Sequence, residues 1–417
     1  MSEDGGTGWH AGPMPAAKRP GRGGSDRGAP GRIRRVQTSS DDSPVIGPEE
    51  RPEQIRARRM PRLARHTVTL SDGHEVGVAV CGRGVPLVLV HGFTAEGILY
   101  AQTLSRLVGA GFRVIAIDTA GHGGTLGLPT GGASMEHYTR ILGRALDELG
   151  VKRAVLCGHS MGGRLVTELA AQEPERAIAV VLLDAIVGDT WDKMVNLFRV
   201  APPLLAGVAG VLVIDNISTL PLLKDPAQAR KLGRLLAPVI GGHLLRPWRM
   251  LGPAVSILRS RGSGWMLDRL AEEDIPLIVI HGQRDVAVPM ATARDAADRG
   301  NGALVTVEKA GHSWLLRDPR TLPAILDALT VSHVGEAISR RIASDLGLSS
   351  PGYLDQVSLA DLDEAYLEPD ARIIDLTPPM VDPDTLPRQG LPRYRWSVTD
   401  RESEPAPPPD NVTRLHA

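Results

Sequence analysis

The chain has few cysteines, few aromatic residues and no long hydrophobic run, and each scarcity narrows the class of protein. Its 417 residues include 2 cysteines, Cys81 and Cys157, which lie in apolar segments and are expected to be reduced core residues, not a disulfide or a metal site. The most apolar stretch, residues 204–214, is too short to cross a bilayer and is broken by glycine. No apolar segment typical of a secretory signal precedes the first basic residues, so a cytoplasmic location is expected.

The charge is nearly balanced, and glycine and proline are concentrated towards both ends. A formal net charge of -1 indicates no general attraction to nucleic acid, and no nucleic-acid partner is expected. Residues 1–65 are expected to form a disordered Gly/Pro/Arg-rich arm, and residues 349–417 an acidic, proline-rich tail that is extended or disordered. The tail nevertheless has apolar side chains suited to docking on the core or a partner: Tyr353, Tyr366, Ile373, Ile374 and Trp396. Any contact with a partner or a membrane surface is expected to be made through the tails.

Between the tails, apolar strand-like segments alternate with helical patterns. A hairpin is predicted over residues 67–81, and further strands over 85–90, 112–117, 154–157, 179–183, 276–280 and 303–307. Helices are predicted over 97–108, 135–149, 163–171 and 291–298. This alternation predicts the α/β class, with a mostly parallel sheet flanked by helices. The core is assigned to residues 66–186 and 275–332, and ligands are expected beyond the carboxyl ends of its strands.

Residues 187–274 interrupt this rhythm between two predicted strands. They are unusually apolar and are predicted to be helical over 190–200, 227–239 and 253–259. Because the interruption follows the carboxyl end of a strand, a helical cap over the strand ends is expected. A packed subdomain without a role in binding is the alternative. A further helix is predicted within residues 333–348.

The most informative motif is Gly158-His159-Ser160-Met161-Gly162, which ends a predicted strand and begins a predicted helix. This is the strand–turn–helix context in which the G-x-S-x-G pattern exposes a serine hydroxyl on a sharp, strained turn. The chain is expected to be crowded two residues before and two after the serine, so only small residues fit there, and Gly158 and Gly162 occupy these positions. The helix start adds unpaired backbone N–H groups that can stabilise a developing oxyanion.

A serine hydroxyl needs an imidazole base, and the base needs a carboxylate to orient it. The candidate acid is Asp285, in the loop after the predicted strand 276–280, and the candidate base is His312, directly after the last predicted strand. The chain order Ser, Asp, His is the one expected for a serine on the central strand. Asp184 also follows a strand and is an alternative acid.

The remaining polar residues at the strand ends are interpreted as structural. Asp118 is expected to stabilise a turn, and four histidines are expected to hold loops in place: His91, His122, His159 and His281. No paired ligand spacing appears, and no metal or cofactor is expected.

From about residue 66 to 329, the chain resembles the α/β-hydrolase family. Five motifs appear in the family's order: His91-Gly92-Phe93, the Asp118–Gly123 turn, the Ser160 elbow, Gly282–Asp285 with Pro289, and Gly311-His312 with Pro319. The resemblance implies Ser160 as nucleophile, His312 as general base and then acid, and Asp285 as its orienter. It also implies that the backbone N–H groups of Phe93 and Met161 form the oxyanion hole. Thr119-Ala120 departs from the family pattern, in which an arginine often precedes the glycine.

A serine nucleophile forms an acyl-enzyme, whereas relatives with a carboxylate at this position form alkyl esters. The expected function is therefore hydrolysis of a small carboxylic ester, and the apolar insertion favours an apolar acyl or alcohol group, as in a carboxylesterase or monoacylglycerol lipase. The alternative reaction is C–C bond hydrolysis of a vinylogous diketone by the same triad. Peracid formation and acyl transfer are also compatible with an acyl-enzyme. The alternative without catalysis is a ligand-binding receptor or interaction module on a hydrolase fold.

Overall fold

The computed structural model describes residues 61–379 and 390–399, except for residues 94, 126 and 129–133 and most of 202–250. The described strands are β1 Ala64–Thr69, β2 Glu75–Cys81, β3 Val85–Val90, β4 Phe112–Ile117, β5 Ala154–His159, β6 Ala177–Leu183, β7 Leu277–Gly282, β8 Ala303–Val307 and β9 Trp396–Thr399. The α-helices are α1 Ala101–Val108, α2 Met135–Leu149, α3 Met161–Gln172, α4 Asp189–Val200, α5 Leu251–Arg259, α6 Gly264–Glu272, α7 Met290–Arg299, α8 Trp314–Arg317, α9 Thr321–Leu329, α10 His333–Asp345, α11 Leu359–Tyr366 and α12 Arg372–Leu376. Short 3-10 helices cover Gly97–Tyr100, Pro174–Arg176 and Pro351–Gln356.

The strands form one sheet in the order β1-β2-β4-β3-β5-β6-β7-β8-β9. The strands from β4 to β8 in this order pair in parallel, whereas β1, β2 and β9 pair antiparallel to their neighbours. Parallel pairing brings the carboxyl ends of β3 to β8 to one edge of the sheet, as the sequence predicts. The predicted hairpin is β1 and β2, whose turn contains Gly73 at φ +82.

Helices cover both faces of the sheet, and this explains the continuous apolar runs of its strands. Alternate residues of one strand enter different cores: Leu87 and Leu89 pack on one face, and Val88 and Val90 on the other. Helices α2 and α3 contribute to the core that contains Val88, whereas α1 and α9 contribute to the core that contains Leu87. Cys81 and Cys157 are buried free thiols, as predicted.

The insertion between β6 and β7 contains three fully described helices, α4, α5 and α6. Helix α4 matches the predicted helix 190–200, and α5 contains the predicted helix 253–259. Helix α4 packs on α5 and α7, and α6 packs on α3, the helix that begins at the Ser160 elbow. The predicted helix 227–239 lies outside the fully described residues, as does the predicted arm before residue 61.

The predicted disorder of residues 349–417 is wrong for the part of this range that the structure describes. Residues 351–376 form a 3-10 helix, α11 and α12, and residues 396–399 add β9 to the sheet edge. The side chains of Tyr366 and Ile373 are fully buried, as the docking interpretation of the tail anticipated. Order also begins slightly earlier than predicted, since β1 starts at Ala64 and not at residue 66. Helix α10 lies within the predicted range 333–348.

Candidate active site

Ser160 lies between β5 and α3 in a strained conformation, at φ 53 and ψ -117. Few non-glycine residues adopt a positive φ, and such strain is commonly stored at functional sites. The backbone around it is fixed, because its N–H donates to the Leu183 carbonyl at 2.9 Å and its carbonyl accepts the N–H of Gly163 at 3.0 Å. Ser160 therefore has the sharp strand–helix turn that the sequence predicts.

The two elbow glycines are required by close backbone approaches. A Cβ at Gly158 would overlap the carbonyl oxygen of Gly162, and one at Gly162 would overlap the carbonyl oxygen of Val90. A third glycine, Gly92, brings its loop against the elbow, since its Cβ would lie 3.0 Å from the Ser160 Cβ. Glycine at these three positions lets β3, β5 and α3 approach closely enough to form the site.

His312 and Asp285 meet at the same sheet edge. His312 Nδ1 donates to Asp285 Oδ2 at 2.7 Å, and both side chains are almost fully buried. Asp285 Oδ1 accepts the backbone N–H groups of Ala287 and Val288 at 2.8 and 2.9 Å, which fixes the carboxylate. Because a carboxylate can only accept, Nδ1 carries the ring proton and Nε2 of the neutral imidazole keeps its lone pair. This is the tautomer that a general base requires.

Asp184, the alternative acid, faces other partners. Its Oδ1 accepts the N–H of Gly282 at 2.8 Å, and its Oδ2 accepts the indole N–H of Trp314 at 2.7 Å. Burial raises the pKa of Asp184 well above its usual range, and the charge of Asp285 raises it further. For Asp285, burial also acts to raise the pKa, but the charge that His312 carries when protonated and its hydrogen bond outweigh burial and lower the pKa. Asp285 is therefore the ionised member of the pair, and it is the one in contact with His312.

The predicted oxyanion residues lie on two neighbouring segments. Met161 is the first residue of α3, where helix N–H groups have no partner within the helix. The half-buried Phe93 lies on the loop after β3, and its carbonyl is hydrogen-bonded to Nε2 of His122. His91 holds the start of this loop, since its Nε2 accepts the Thr119 N–H at 2.9 Å. The expectation that His91 and His122 hold loops in place agrees with these contacts.

His159 links the elbow to the base. Its Nε2 donates to the His312 carbonyl at 3.0 Å, and its Nδ1 accepts the hydroxyl of Tyr100 at 2.9 Å. Burial and repulsion from His312 lower the pKa of His159 to about 3, so the ring stays neutral beside the base. Tyr100 was missed by sequence reasoning, because a tyrosine in a short 3-10 helix carries no motif.

The fourth loop histidine, His281, lies between the two carboxylates. Its Nε2 donates to the Val288 carbonyl at 2.9 Å, which closes the Asp285 loop. Asp118 has the expected turn role, since its two carboxylate oxygens accept the N–H groups of Gly97 and Gly124. Each of these polar residues has a local structural task around the Ser160 site.

Within the described part of the chain, three buried residues have atoms spaced for metal binding. Asp184, His281 and Asp285 place one ligand-type atom each within 4.8 Å of one another. The carboxylate oxygens of Asp184 and Asp285 already accept hydrogen bonds from Trp314, His312 and backbone N–H groups. These hydrogen bonds fix the loops that carry His312 and Asp285. We therefore interpret Asp184, His281 and Asp285 as a hydrogen-bonded cluster that supports these loops.

Comparison with known proteins identifies the family of the chain. The sequence profile of the alpha/beta hydrolase family matches residues 87–324, so the chain belongs to that family. The family and its relatives support hydrolase activity for the chain.

Individual relatives carry different names. The chain is 36% identical to a putative non-heme haloperoxidase of Mycobacterium phage D29 over 276 residues, which are 64% of this chain and 95% of that protein. It is 26% identical to a monoacylglycerol lipase of Mycolicibacterium smegmatis over 221 residues, 52% of this chain and 75% of that protein. The fold is similar to the crystal structure of the esterase RhEst1 from Rhodococcus sp. ECU1013, with a TM-score of 0.50 and 21% identity over 64% of this chain and 99% of that one. No helix in the described ranges is long and apolar enough to span a membrane.

Proposed function

We propose that this protein is a serine hydrolase that cleaves a carboxylic ester with an apolar acyl or alcohol group. The observation that carries the proposal is the 2.7 Å contact between His312 Nδ1 and Asp285 Oδ2, at the sheet edge that also bears the strained Ser160. A neutral imidazole with its proton on Nδ1 can take the serine proton at Nε2.

In the proposed reaction, Ser160 Oγ attacks the ester carbonyl while His312 accepts its proton. The N–H groups of Phe93 and Met161 stabilise the resulting oxyanion. His312 then protonates the leaving alcohol, and an acyl-Ser160 ester remains. Water, deprotonated by His312, attacks this ester and releases the carboxylic acid, and Ser160 regains its proton. Asp285 keeps the imidazole oriented and stabilises its protonated form.

The substrate class is proposed from the insertion between β6 and β7. Residues 187–274 are rich in aliphatic side chains. Of the described helices in this insertion, α6 packs on α3, which begins at the Ser160 elbow, and α4 packs on α7. We propose that this insertion covers the strand ends and so favours an apolar acyl or alcohol group, since burial contributes about 0.8 kcal/mol per methylene. The monoacylglycerol lipase among the relatives is consistent with this class.

A second reaction is favoured by the name of the phage relative. If hydrogen peroxide replaces water as the attacking group, the acyl-enzyme yields a peracid and free Ser160. The peracid oxidises a halide to hypohalous acid and returns to the carboxylic acid, which gives haloperoxidase activity without a haem. We propose this as a side reaction of the same acyl-enzyme.

The test uses a fluorophosphonate probe and p-nitrophenyl esters of increasing acyl length. We expect the probe to label the wild-type chain and Ser105→Ala, a control that removes another buried hydroxyl, but not Ser160→Ala. We also expect ester turnover to rise with acyl length before it falls, with peracid formation when peroxide is added.

Labelling that survives in Ser160→Ala would exclude this serine as the nucleophile. Clean labelling of Ser160 without ester turnover would favour either a C–C hydrolase or a receptor or interaction module. Turnover of a vinylogous diketone would then favour the C–C hydrolase, and no turnover of either substrate would favour the receptor or interaction module.

A further inference from the structure

The loop that carries His312, residues 308–313, is held on one side by the loop that carries Asp285. The N–H of Arg284 donates to the carbonyl of Ala310 at 2.8 Å. This contact joins the loop that carries the acid to the loop that carries the base. It does not restrain the outer side of the loop, which faces the edge of the sheet beyond β8.

On that outer side, the start of the loop is fastened by the C-terminal part of the chain. Strand β9 pairs antiparallel with β8, and Val307 lies opposite Trp396. The pairing continues one residue into the loop, because the N–H of Glu308 donates to the Arg395 carbonyl at 2.9 Å.

The residues that follow the loop are fastened by the segment just before β9. The N–H of Arg393 donates to Oδ2 of the buried Asp318 at 2.6 Å. The ring of Tyr394 packs edge-on against the fully buried Trp314, with centroids 6.4 Å apart and planes at 77°. Trp314 in turn donates to Asp184 at the end of β6.

We propose that residues 393–396 form a clamp that positions the His312 loop for catalysis. The clamp holds Val307 and Glu308 at the start of the loop, and Trp314 and Asp318 one and five residues after it. It therefore restrains both ends of the segment that carries the imidazole. A misplacement of about 1 Å in a catalytic group can cost on the order of 100-fold in rate. The clamp lies outside residues 87–324, which match the family profile. It is a positioning element of this chain, and its effect on rate rests on the proposed function of His312.

The sharpest test compares two substitutions of one residue in the full-length chain. Arg393→Ala keeps the backbone N–H that donates to Asp318, whereas Arg393→Pro removes it. We expect Arg393→Pro to lower kcat for a p-nitrophenyl ester by about tenfold relative to Arg393→Ala, with KM within about twofold, because residue 393 lies outside the insertion that is proposed to contact substrate. Fluorophosphonate labelling of Ser160 should slow by a similar factor.

A second pair of variants tests the ring contact. Tyr394→Ala removes the packing against Trp314, and Tyr394→Phe keeps the ring. We expect Tyr394→Ala to lower kcat with little change in KM, and Tyr394→Phe to restore most of the rate. Equal rates in Tyr394→Ala and Tyr394→Phe, together with equal rates in the two Arg393 variants, would overturn the clamp.

Hydrogen exchange separates failure of the clamp from failure of the proposed function. In Arg393→Pro, amides of residues 308–318 should exchange about tenfold faster than in Arg393→Ala, while those of β3 stay unchanged. This result would support the clamp even if no ester were turned over. Unchanged exchange in residues 308–318 would overturn the clamp, whatever the activity of the enzyme.

Discussion

At the scale of single residues, the site contains two buried carboxylates with different partners. Asp285 accepts from the imidazole of His312, whereas Asp184 accepts from neutral N–H donors of Gly282 and Trp314. Proximity to one protonatable partner favours the ionised form of Asp285, and burial favours the neutral form of Asp184. Asp285 therefore orients the imidazole of His312, whereas Asp184 holds the backbone of Gly282 and the indole of Trp314.

This difference predicts opposite effects of two isosteric substitutions on activity. Asp285→Asn places an amide against Nδ1 of His312 and favours the wrong tautomer, so we expect kcat to fall by about 10³–10⁴-fold. Asp184→Asn leaves the imidazole contact intact and should retain activity within about tenfold of wild type. Steady-state assays on a p-nitrophenyl ester measure both. Full activity in Asp285→Asn with loss in Asp184→Asn would assign the acid role to Asp184.

Asp184 also predicts how stability depends on pH. Its pKa is raised in the folded protein, so the folded state holds a proton that the unfolded state releases above about pH 4. The stability that this group contributes is complete below that pH and is lost as the pH rises towards the folded pKa. A side-chain amide at this position cannot ionise, so the unfolding free energy of Asp184→Asn should fall less between about pH 4 and pH 9 than that of wild type.

Urea unfolding at several pH values measures this difference. Asp375→Asn, on the exposed side of α12, controls for the loss of one formal charge. A wild-type curve parallel to that of Asp184→Asn over the whole range would contradict the prediction.

At the scale of elements, the strands of the parallel part of the sheet could be predicted from the sequence. The strands β3 to β7 are buried on both faces, so each appears as an apolar run with a turn residue at its end. The Ser160 elbow is equally readable, because its glycines are required by backbone contacts that are local in sequence.

The C-terminal elements β9 and α11 could not be predicted from the sequence in the same way. Strand β9 has four residues, three of them exposed, and so lacks the apolar run of the other strands. Helix α11 begins with a capping box of Ser358 and Asp361, but its buried anchor is the single residue Tyr366. Its other anchor is a carboxylate, Asp363, whose partner Arg113 lies 250 residues earlier. Such long-range polar pairs leave no periodic pattern, and an acidic composition then suggests disorder.

The same limit applies to part of the site. Ser160, Asp285 and His312 each follow a strand and belong to a motif, whereas Tyr100 is connected to His159 only through the fold. The substrate preference is equally hard to predict, because the apolar composition of residues 187–274 fits either a cap or a packed subdomain.

At the scale of the whole molecule, helices α11 and α12 and the residues between them contact the end of the sheet where the parallel strands begin. The N–H of Lys152 donates to the Tyr366 carbonyl at 2.9 Å, and the N–H of Glu368 to the Gly150 carbonyl at 2.9 Å. Helix α12 is joined to β1, since His66 Nε2 donates to the Leu376 carbonyl at 2.8 Å. The C-terminal part of the chain is thus connected to the first strand of the sheet and, through β9, to the strand at its opposite edge.

Asp363 on α11 links the C-terminal helices to β4, and its removal is expected to cause a large loss of stability. Its Oδ1 accepts from the guanidinium of Arg113 at 2.5 Å, and its Oδ2 from that of Arg83 at 2.6 Å. The Arg113 side chain on β4 is 1% exposed, and its Nε and Nη1 have no hydrogen-bond partner among the described residues. Asp363→Ala therefore leaves a buried charge without its partner, and we expect a loss of about 3–5 kcal/mol in the free energy of unfolding.

The matched control is Arg83→Ala, which removes the other partner of the same carboxylate. The Arg83 side chain is 43% exposed, so water replaces the lost contact and the expected loss is about 0–1 kcal/mol. Urea unfolding at neutral pH measures both, and fluorophosphonate labelling of Ser160 in the folded variants reports the site. If the two variants lose equal stability, burial of Arg113 does not depend on the C-terminal elements. A large difference with normal labelling below the transition means that α11 stabilises the sheet from the side opposite the catalytic edge.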